Sequence, residues 1–473
     1  MTTSTPPSNP RTTPPPAGPN DDIIVYSAAL VIPVTAPVIP GGAVAVRGDR
    51  VLHVGTRDWV MAALREEVAG APGGTRIIER HWHGLLTPGL VNAHTHLQYT
   101  GMAAVGQGEY HDFHEWEDAF DLVYDDDTLD KPWRAWAEQG ARMLVEHGTT
   151  AAADIATDLE AAGALHSQGL HGITYWEVMN WREQDWTRKG ASALRDQLMA
   201  ASQQQVPHLG ISPHAPYSLD SAPLLDLPDI ARGMGLRLHI HLGETPIEAG
   251  AVPSKLSNYT SADWNRRAWT NYAQLKQAGI GASAIQFVDQ LGVLGPDVHI
   301  AHGVYATRED RRILRQRGVS VALCPRSNRI TCTKRDAPVA RYLEEGNLVS
   351  VGTDSLSSSP SLDVLDDLAM LYELALEQGY DRDDVSHRLI RMVTLGGAEA
   401  MGLNTGPERI GQINAGATAD LAFFDIPCDT STSAALEDTL DRFVRLGAGT
   451  ARATVLSGRL AYNDGAFPEA GMR

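Results

Sequence analysis

Residues 89–97 read GLVNAHTHL, an apolar run that ends in two histidines separated by one residue. Seven runs of the same kind follow: TTAAADIA (149–156), GITYWEVM (172–179), HLGISPHAP (208–216), RLHIHLGET (237–245), DVHIAHGV (297–304), SVALCPRSN (320–328) and LVSVGTDS (348–355). Each is short, nearly continuous in apolar residues, and separated from the next by helix-compatible sequence. Strands buried on both faces have that composition, and their alternation with helices is the pattern of a parallel sheet. Eight of them predict an α/β architecture, a (β/α)8 barrel over residues 87–401.

The flanks have a different texture. From Asp22 to Leu86 the chain shows short strand-like runs with turn signals, and similar runs return in IGQINAGATADLAFFDI and ATVLSGRLAYNDG. Residues 22–86 and 402–473 are therefore expected to form one small β-sandwich from both chain ends. Residues 1–21 hold seven prolines and five threonines with almost no apolar side chain, the composition of a disordered tail. Ile23 to Val46 is 24 residues without a charge, long enough to cross a bilayer, but Pro33, Pro37, Pro40 and Gly41-Gly42 would break any helix there. No short basic segment precedes it, so a cytoplasmic protein is expected.

Composition narrows the function classes. Hydrophobic residues make up 43% and charged residues 21%, ordinary globular usage. Asp and Glu number 58 against 39 Lys and Arg, and a net charge of −19 repels polyanions, so neither nucleic acid nor an anionic membrane is an expected partner. Three cysteines follow no metal-ligand spacing. Seventeen histidines remain to be explained.

Polar residues gather where the apolar runs end: His94 and His96, His214, His241 and Glu244, His302, Ser327 and Asn328, and Asp354. In a (β/α)8 barrel those ends converge on one face, whatever their separation in sequence. His94 and His96 stand two apart on a strand and so point to the same side, as two ligands of one metal must. With His241 and Asp354 they make a three-histidine, one-carboxylate set suited to zinc or ferrous iron. His239 alternates with His241 and is expected to face elsewhere.

The motifs PGLVNAHTHL, HIHLGET, AHG, CPRSN and VGTDS, in this order, resemble the amidohydrolase superfamily, in its branch of mononuclear-metal deaminases and chlorohydrolases of N-heterocycles. The resemblance runs from Asp22 to about Asp464, and GQINAGATADLAFFD is similar to the segment that closes the family's β-sandwich. It implies one divalent metal per chain, Zn2+ ahead of Fe2+, on His94, His96, His241 and Asp354. It further implies Glu244 as proton shuttle, His302 beside the metal's water, and Asp354 as the acceptor of that water's proton. Binuclear relatives bridge their metals with a lysine on the fourth strand, but HLGISPHAP has none, and His214 takes a substrate-reaching position there.

The substrate pocket is expected from three loops carrying Gln98, Phe113 and Trp116, then Glu177, Trp181 and Arg182, then Arg326, Ser327, Asn328 and Arg329. Aromatic rings would stack on a flat base, and arginines would take a carboxylate. HTHLQYT followed by DFHEW resembles the aminodeoxyfutalosine deaminases of menaquinone biosynthesis, whose substrate is an adenine nucleoside bearing a carboxyphenyl group, although Gln98 stands where an acidic residue is expected. Deamination at C6 of that nucleoside is the expected reaction. Adenosine or S-adenosylhomocysteine deamination, and guanine or triazine hydrolysis, stay open beside it. The partner expected is thus a small N-heterocycle or nucleoside, and a homodimer or higher homo-oligomer is allowed.

Overall fold

A computed structural model describes residues 22–69, 75–204, 206–250 and 269–468; the expected tail at 1–21 lies outside the described residues. The N-terminal segment forms β1 (Ile23–Val31), β2 (Ile39–Pro40), β3 (Gly42–Arg47), β4 (Arg50–Thr56) and β5 (Ile77–Pro88). The middle forms β6 (Leu90–Thr95), β7 (Thr149–Ala156), β8 (His171–Val178), β9 (Leu209–Pro213), β10 (Arg237–Leu242), β11 (Val298–His302), β12 (Ser320–Leu323) and β13 (Leu348–Val351). The C-terminal segment adds β14 (Leu421–Phe424), β15 (Ala451–Leu456) and β16 (Arg459–Asn463).

The two chain ends share one mixed sheet in the order β16-β15-β14-β5-β1-β3-β4, with β2 against β1. Alternation decides its faces. Tyr26 and Ala28 of β1, with Val44 and Val46 of β3, join a core that includes Trp82, Phe423 and Phe467. Ile23, Val25, Ala43 and Ala45 point the other way, onto Val60 and Leu64 of the helix Arg57–Ala69. In place of the expected two-sheet sandwich, both chain ends thus build one continuous mixed sheet with a core on each face. Its edge strand β4 bonds back to the chain before β14, Val51 N donating to Ala417 O at 3.0 Å.

All eight apolar runs become strands of a second, parallel sheet in sequential order, β6 to β13. Register sets the polar ends side by side: His241 pairs with Ala301, and Leu242 with His302. The barrel closes between β13 and β6 through a few specific bonds. Asp354 N donates to His94 O at 3.0 Å, Asn92 Nδ2 to Thr353 Oγ1 at 2.8 Å, and Thr353 N to Asn92 Oδ1 at 3.2 Å. Among the described residues no helix is long and apolar enough to cross a membrane.

Two features of this scaffold give testable consequences. Gly172 in β8 has φ +118°, and a Cβ there would meet Ala152 O at 1.9 Å. Gly172→Ala should cost more than about 2 kcal/mol in denaturant unfolding. Gly169, with φ +81° and open space around it, should cost only about 1–2 kcal/mol on the same change.

His147 follows the helix Trp133–Glu146, and its Nδ1 lies 3.3 Å from Asp363 Oδ2, which also accepts from Gly449 N at 2.8 Å. The hydrogen bond to Asp363 holds the His147 pKa above 6.5 despite partial burial. A raised folded value means that the pair's stabilisation is fully present below the unfolded pKa and is lost as pH rises through the folded one. The difference in unfolding free energy between the parent and His147→Gln should therefore be largest at low pH and shrink by about 1 kcal/mol as pH rises from 5 to 9.

Candidate metal centre and active-site cleft

β6, β10, β11 and β13 end at the same mouth and deliver His94, His96, His241, His302 and Asp354 to one point. His94 and His302 are fully buried, and the other three are nearly so. His302 and Asp354 leave their strands with φ of 73° and 61°. Such left-handed backbone is uncommon outside glycine, and it turns both side chains inward.

The donor atoms fit a divalent cation. His96 Nε2 lies 3.2 Å from His241 Nε2, and His94 Nε2 and His96 Nε2 each lie 3.6 Å from Asp354 Oδ1. A tetrahedral site with bonds of about 2.0–2.2 Å places neighbouring donors about 3.3–3.6 Å apart. His94 Nε2 is buried without a hydrogen-bond partner. Burial drives His94 and His241 well below pKa 6.5, while His96 falls to about 4. Neutral imidazoles with inward lone pairs are the ligand form. His241 Nδ1 faces His214 O at 3.2 Å, a contact in which the ring nitrogen must donate. Asp354 Oδ2 accepts from Ser327 Oγ at 2.7 Å, and Oδ1 accepts from Ser355 N at 2.8 Å.

Glu244 stands beside this set, with Oε1 3.6 Å from His302 Nε2 and Oε2 accepting from Tyr217 Oη at 3.2 Å. Burial, with the charge of Asp354 second, pushes its pKa up to about 8. The turn that presents it is built by Glu248, whose carboxylate accepts from Gly243 N at 2.7 Å, Glu244 N at 2.9 Å and Thr245 N at 2.9 Å. His302 Nδ1 lies 3.0 Å from Asn328 Oδ1.

The cleft above is lined by Phe113, Trp116 and Phe120 of the helix Phe113–Tyr124, and by Glu177, His214 and Tyr217. Trp116 Nε1 donates to Ser357 O at 2.8 Å, which holds the helix over the site. Burial pushes Glu177 up to about 8, and its Oε1 has no hydrogen-bond partner. His214 Nδ1 lies 2.7 Å from Ser218 Oγ.

Other expected pocket residues sit elsewhere. Gln98 accepts from Thr157 N at 2.9 Å and Asp158 N at 3.2 Å, so it ties down the chain after β7. Arg326 turns from the cleft to Asp367 at 2.7 Å and Asp366 at 3.0 Å, because two carboxylates and a serine lie within its reach. Ser327 holds Asp354 from behind. Arg329 pairs with Asp336 at the surface, Arg182 lies over Trp269 at 4.8 Å, and Trp181 packs on Trp186. His239, expected to face elsewhere, points to the same side as His241 and meets His94. Tyr217, Phe120 and Glu248 escaped the sequence reading. The 113/116/120 spacing and the Thr245-x-x-Glu248 capping pattern were the signals for the last two.

A parallel barrel with a mixed sheet from the chain ends and an inward-facing donor set at the strand ends is the frame of a metal site, and comparison with known proteins supplies its family. The amidohydrolase family model matches residues 85–461, and the chain belongs to that family, as an enzyme acting on C–N bonds. A 5-methylthioadenosine/S-adenosylhomocysteine deaminase from Moorella thermoacetica is 29% identical over 410 residues, covering 85% of this chain and 86% of its own. An adenosine deaminase from Xanthomonas campestris, solved with bound zinc, superposes with a TM-score of 0.73 at 20% identity, covering 96% of each chain. Helicobacter pylori aminofutalosine deaminase, in complex with methylthio-coformycin, gives 0.72 at 19% identity, covering 92% of this chain and 99% of that one.

The position of Arg326 yields a prediction. Its side chain is 12% exposed and that of Asp367 0%. Arg326→Met leaves Asp367 buried without its cation, and should cost about 3–5 kcal/mol in thermal or denaturant unfolding. The KM of the folded fraction for its substrate should be unchanged.

Proposed function

We propose that the protein is a metal-dependent hydrolytic deaminase that replaces the C6 amine of an adenine-type nucleoside and releases ammonia. The observation that carries this reading is the convergence of His94, His96, His241 and Asp354 on one point, with Glu244 and His302 facing it beneath an aromatic wall.

His94, His96, His241 and Asp354 would hold one divalent cation, and three imidazoles with a carboxylate suit Zn2+ ahead of Fe2+. When bound, such an ion lowers the pKa of a coordinated water towards about 7. The remaining work falls to the chain. Glu244, protonated through burial, donates to the ring nitrogen next to C6 and makes that carbon electrophilic. Glu244 regains its proton from the new C6 hydroxyl as the amine leaves, so the group that gives a proton also recovers one. Asp354 accepts the water's proton and returns it to the departing amine, while His302 Nε2 orients the attacking oxygen. Phe113, Trp116 and Phe120 would stack on the base and exclude water, with Glu177 and His214 contacting the nucleoside.

Two substrates compete within this class. 6-Amino-6-deoxyfutalosine is supported by the HTHLQYT and DFHEW motifs, whose Tyr99, Phe113 and Trp116 are among the residues lining the cleft. Arg326, the expected carboxylate anchor, is committed to Asp366 and Asp367, and this favours a 5′-substituted adenosine of the kind named in the relatives. Ammonia release from adenosine, S-adenosylhomocysteine, 5′-deoxyadenosine, aminodeoxyfutalosine and guanine, compared as kcat/KM, separates them. Purine nucleosides should dominate the panel, and activity confined to guanine would overturn the proposal.

Chelation should abolish turnover, and elemental analysis of the active enzyme should find one metal per chain. Glu244→Gln should keep that metal yet lower kcat by about 10²–10⁴-fold. Near-normal turnover in that variant would remove Glu244 from the reaction.

A further inference from the structure

Below the cleft, the barrel interior holds a second layer of imidazoles that the proposed reaction does not use. His239 stands two residues before His241 on β10, so its ring points to the same side one layer deeper. It is fully buried with His299 of β11, and the two rings stack with centroids 3.8 Å apart. Tyr175 of β8 packs edge-on against both. The contacts form a line: His94 Nδ1 lies 2.8 Å from His239 Nε2, His239 Nδ1 lies 3.2 Å from His299 O, and His299 Nε2 lies 3.2 Å from Ala93 O.

Only one arrangement of hydrogens satisfies this line. A carbonyl oxygen accepts and never donates, so His239 Nδ1 carries the hydrogen that faces His299 O. His239 is fully buried against His94, His299 and Tyr175, and among the described residues no carboxylate acts on it; a buried cation without a counter-charge is costly. A neutral ring has one hydrogen, so His239 Nε2 is a bare acceptor. The 2.8 Å contact then makes His94 Nδ1 the donor. His94 is left with its lone pair on Nε2, the buried atom without a partner that faces Asp354. At the far end His299 Nε2 donates to Ala93 O, and its Nδ1 accepts from Tyr175 Oη at 3.5 Å. Ala93 precedes His94, so the line ends on the backbone carbonyl just before the residue it began on.

We propose that His239 is a positioning residue for the metal centre: by accepting from His94 Nδ1 while anchored on His299 O, it locks the His94 ring in the orientation and tautomer that coordinate a cation through Nε2. Histidine ligands commonly donate their second nitrogen to a carboxylate, carbonyl or water, and here a neutral imidazole fills that place. The inference rests on the reading of His94 as a ligand.

The test compares His239→Leu, His239→Asn and His239→Gln in the full chain. Gln places an amide oxygen near the Nε2 position and can still accept from His94, whereas Asn reaches only His299 O and Leu does neither. Zn2+ affinity is read by competition with a chromophoric chelator, ligand geometry by the visible absorption of the Co2+-loaded proteins, and fold integrity by melting of the metal-free forms. Leu and Asn should weaken Zn2+ binding by about 10–100-fold and alter the Co2+ band, and Gln should stay within about threefold of the parent. Unchanged affinity and spectrum in both Leu and Asn would overturn the role of His239 while the metal site stands. A parent protein that binds no Zn2+ would instead overturn His94 as a ligand. If His239→Leu does not fold, the Asn and Gln variants, both buried amides, decide the matter: equal affinities sink the proposal.

Discussion

The bond from Asp354 N to His94 O is the constraint on which the site depends. The eight strands of the barrel pair in order from β6 to β13, and this bond, with Asn92 and Thr353 beside it, joins the two ends of that order. Gly352 permits the approach, since a Cβ there would lie 2.7 Å from that of His94. Closing the barrel and assembling the donor set are therefore one event. A strand slip at this seam would separate Asp354 from His94 and His96 and reverse the side each side chain faces. The positive φ of Asp354 belongs to the same constraint, because the chain must turn sharply after β13 to aim its carboxylate back across the mouth.

Electrostatics around that point follow from burial. His94, His96, His214, His241 and His302 are all driven towards the neutral form, and so are Glu177 and Glu244. A dry cluster of neutral nitrogen and oxygen donors gains when a cation enters, since each inward lone pair then meets charge instead of another lone pair. His96 Nε2 facing His241 Nε2 at 3.2 Å is the clearest case: His241 Nε2 is bare because its Nδ1 donates to His214 O, and a cation lets His96 present a lone pair to the same point. The same low dielectric raises the pKa of Glu244, with the charge of Asp354 acting in the same direction.

The barrel was legible in the sequence because doubly buried strands leave continuous apolar runs, and all eight runs became strands. The polar ends were legible because barrel topology sends them to one face. What failed to read was whatever depends on a partner chosen in three dimensions. Gln98 binds Thr157 and Asp158, about sixty residues on, and Arg326 binds carboxylates about forty residues on. No local pattern distinguishes such a glutamine or arginine from one that meets a substrate. His239 is a different case: the period-two rule that set His94 beside His96 also sets His239 on the side of His241, and applying it evenly would have placed the residue.

That placement changes what the seventeen histidines are for. Four of them, His94, His96, His241 and His302, surround the reacting point, and His214 lines the cleft. His239 and His299 form a layer below, where an apolar side chain would fill the space at less cost in desolvation. A leucine there would leave His94 Nδ1–H buried and unpaired, and the ring free to present a hydrogen to the cation instead of a lone pair. The buried donor His94 Nδ1 thus demands a buried acceptor beneath it, and the demand ends only where a backbone carbonyl, which cannot change tautomer, accepts the last hydrogen.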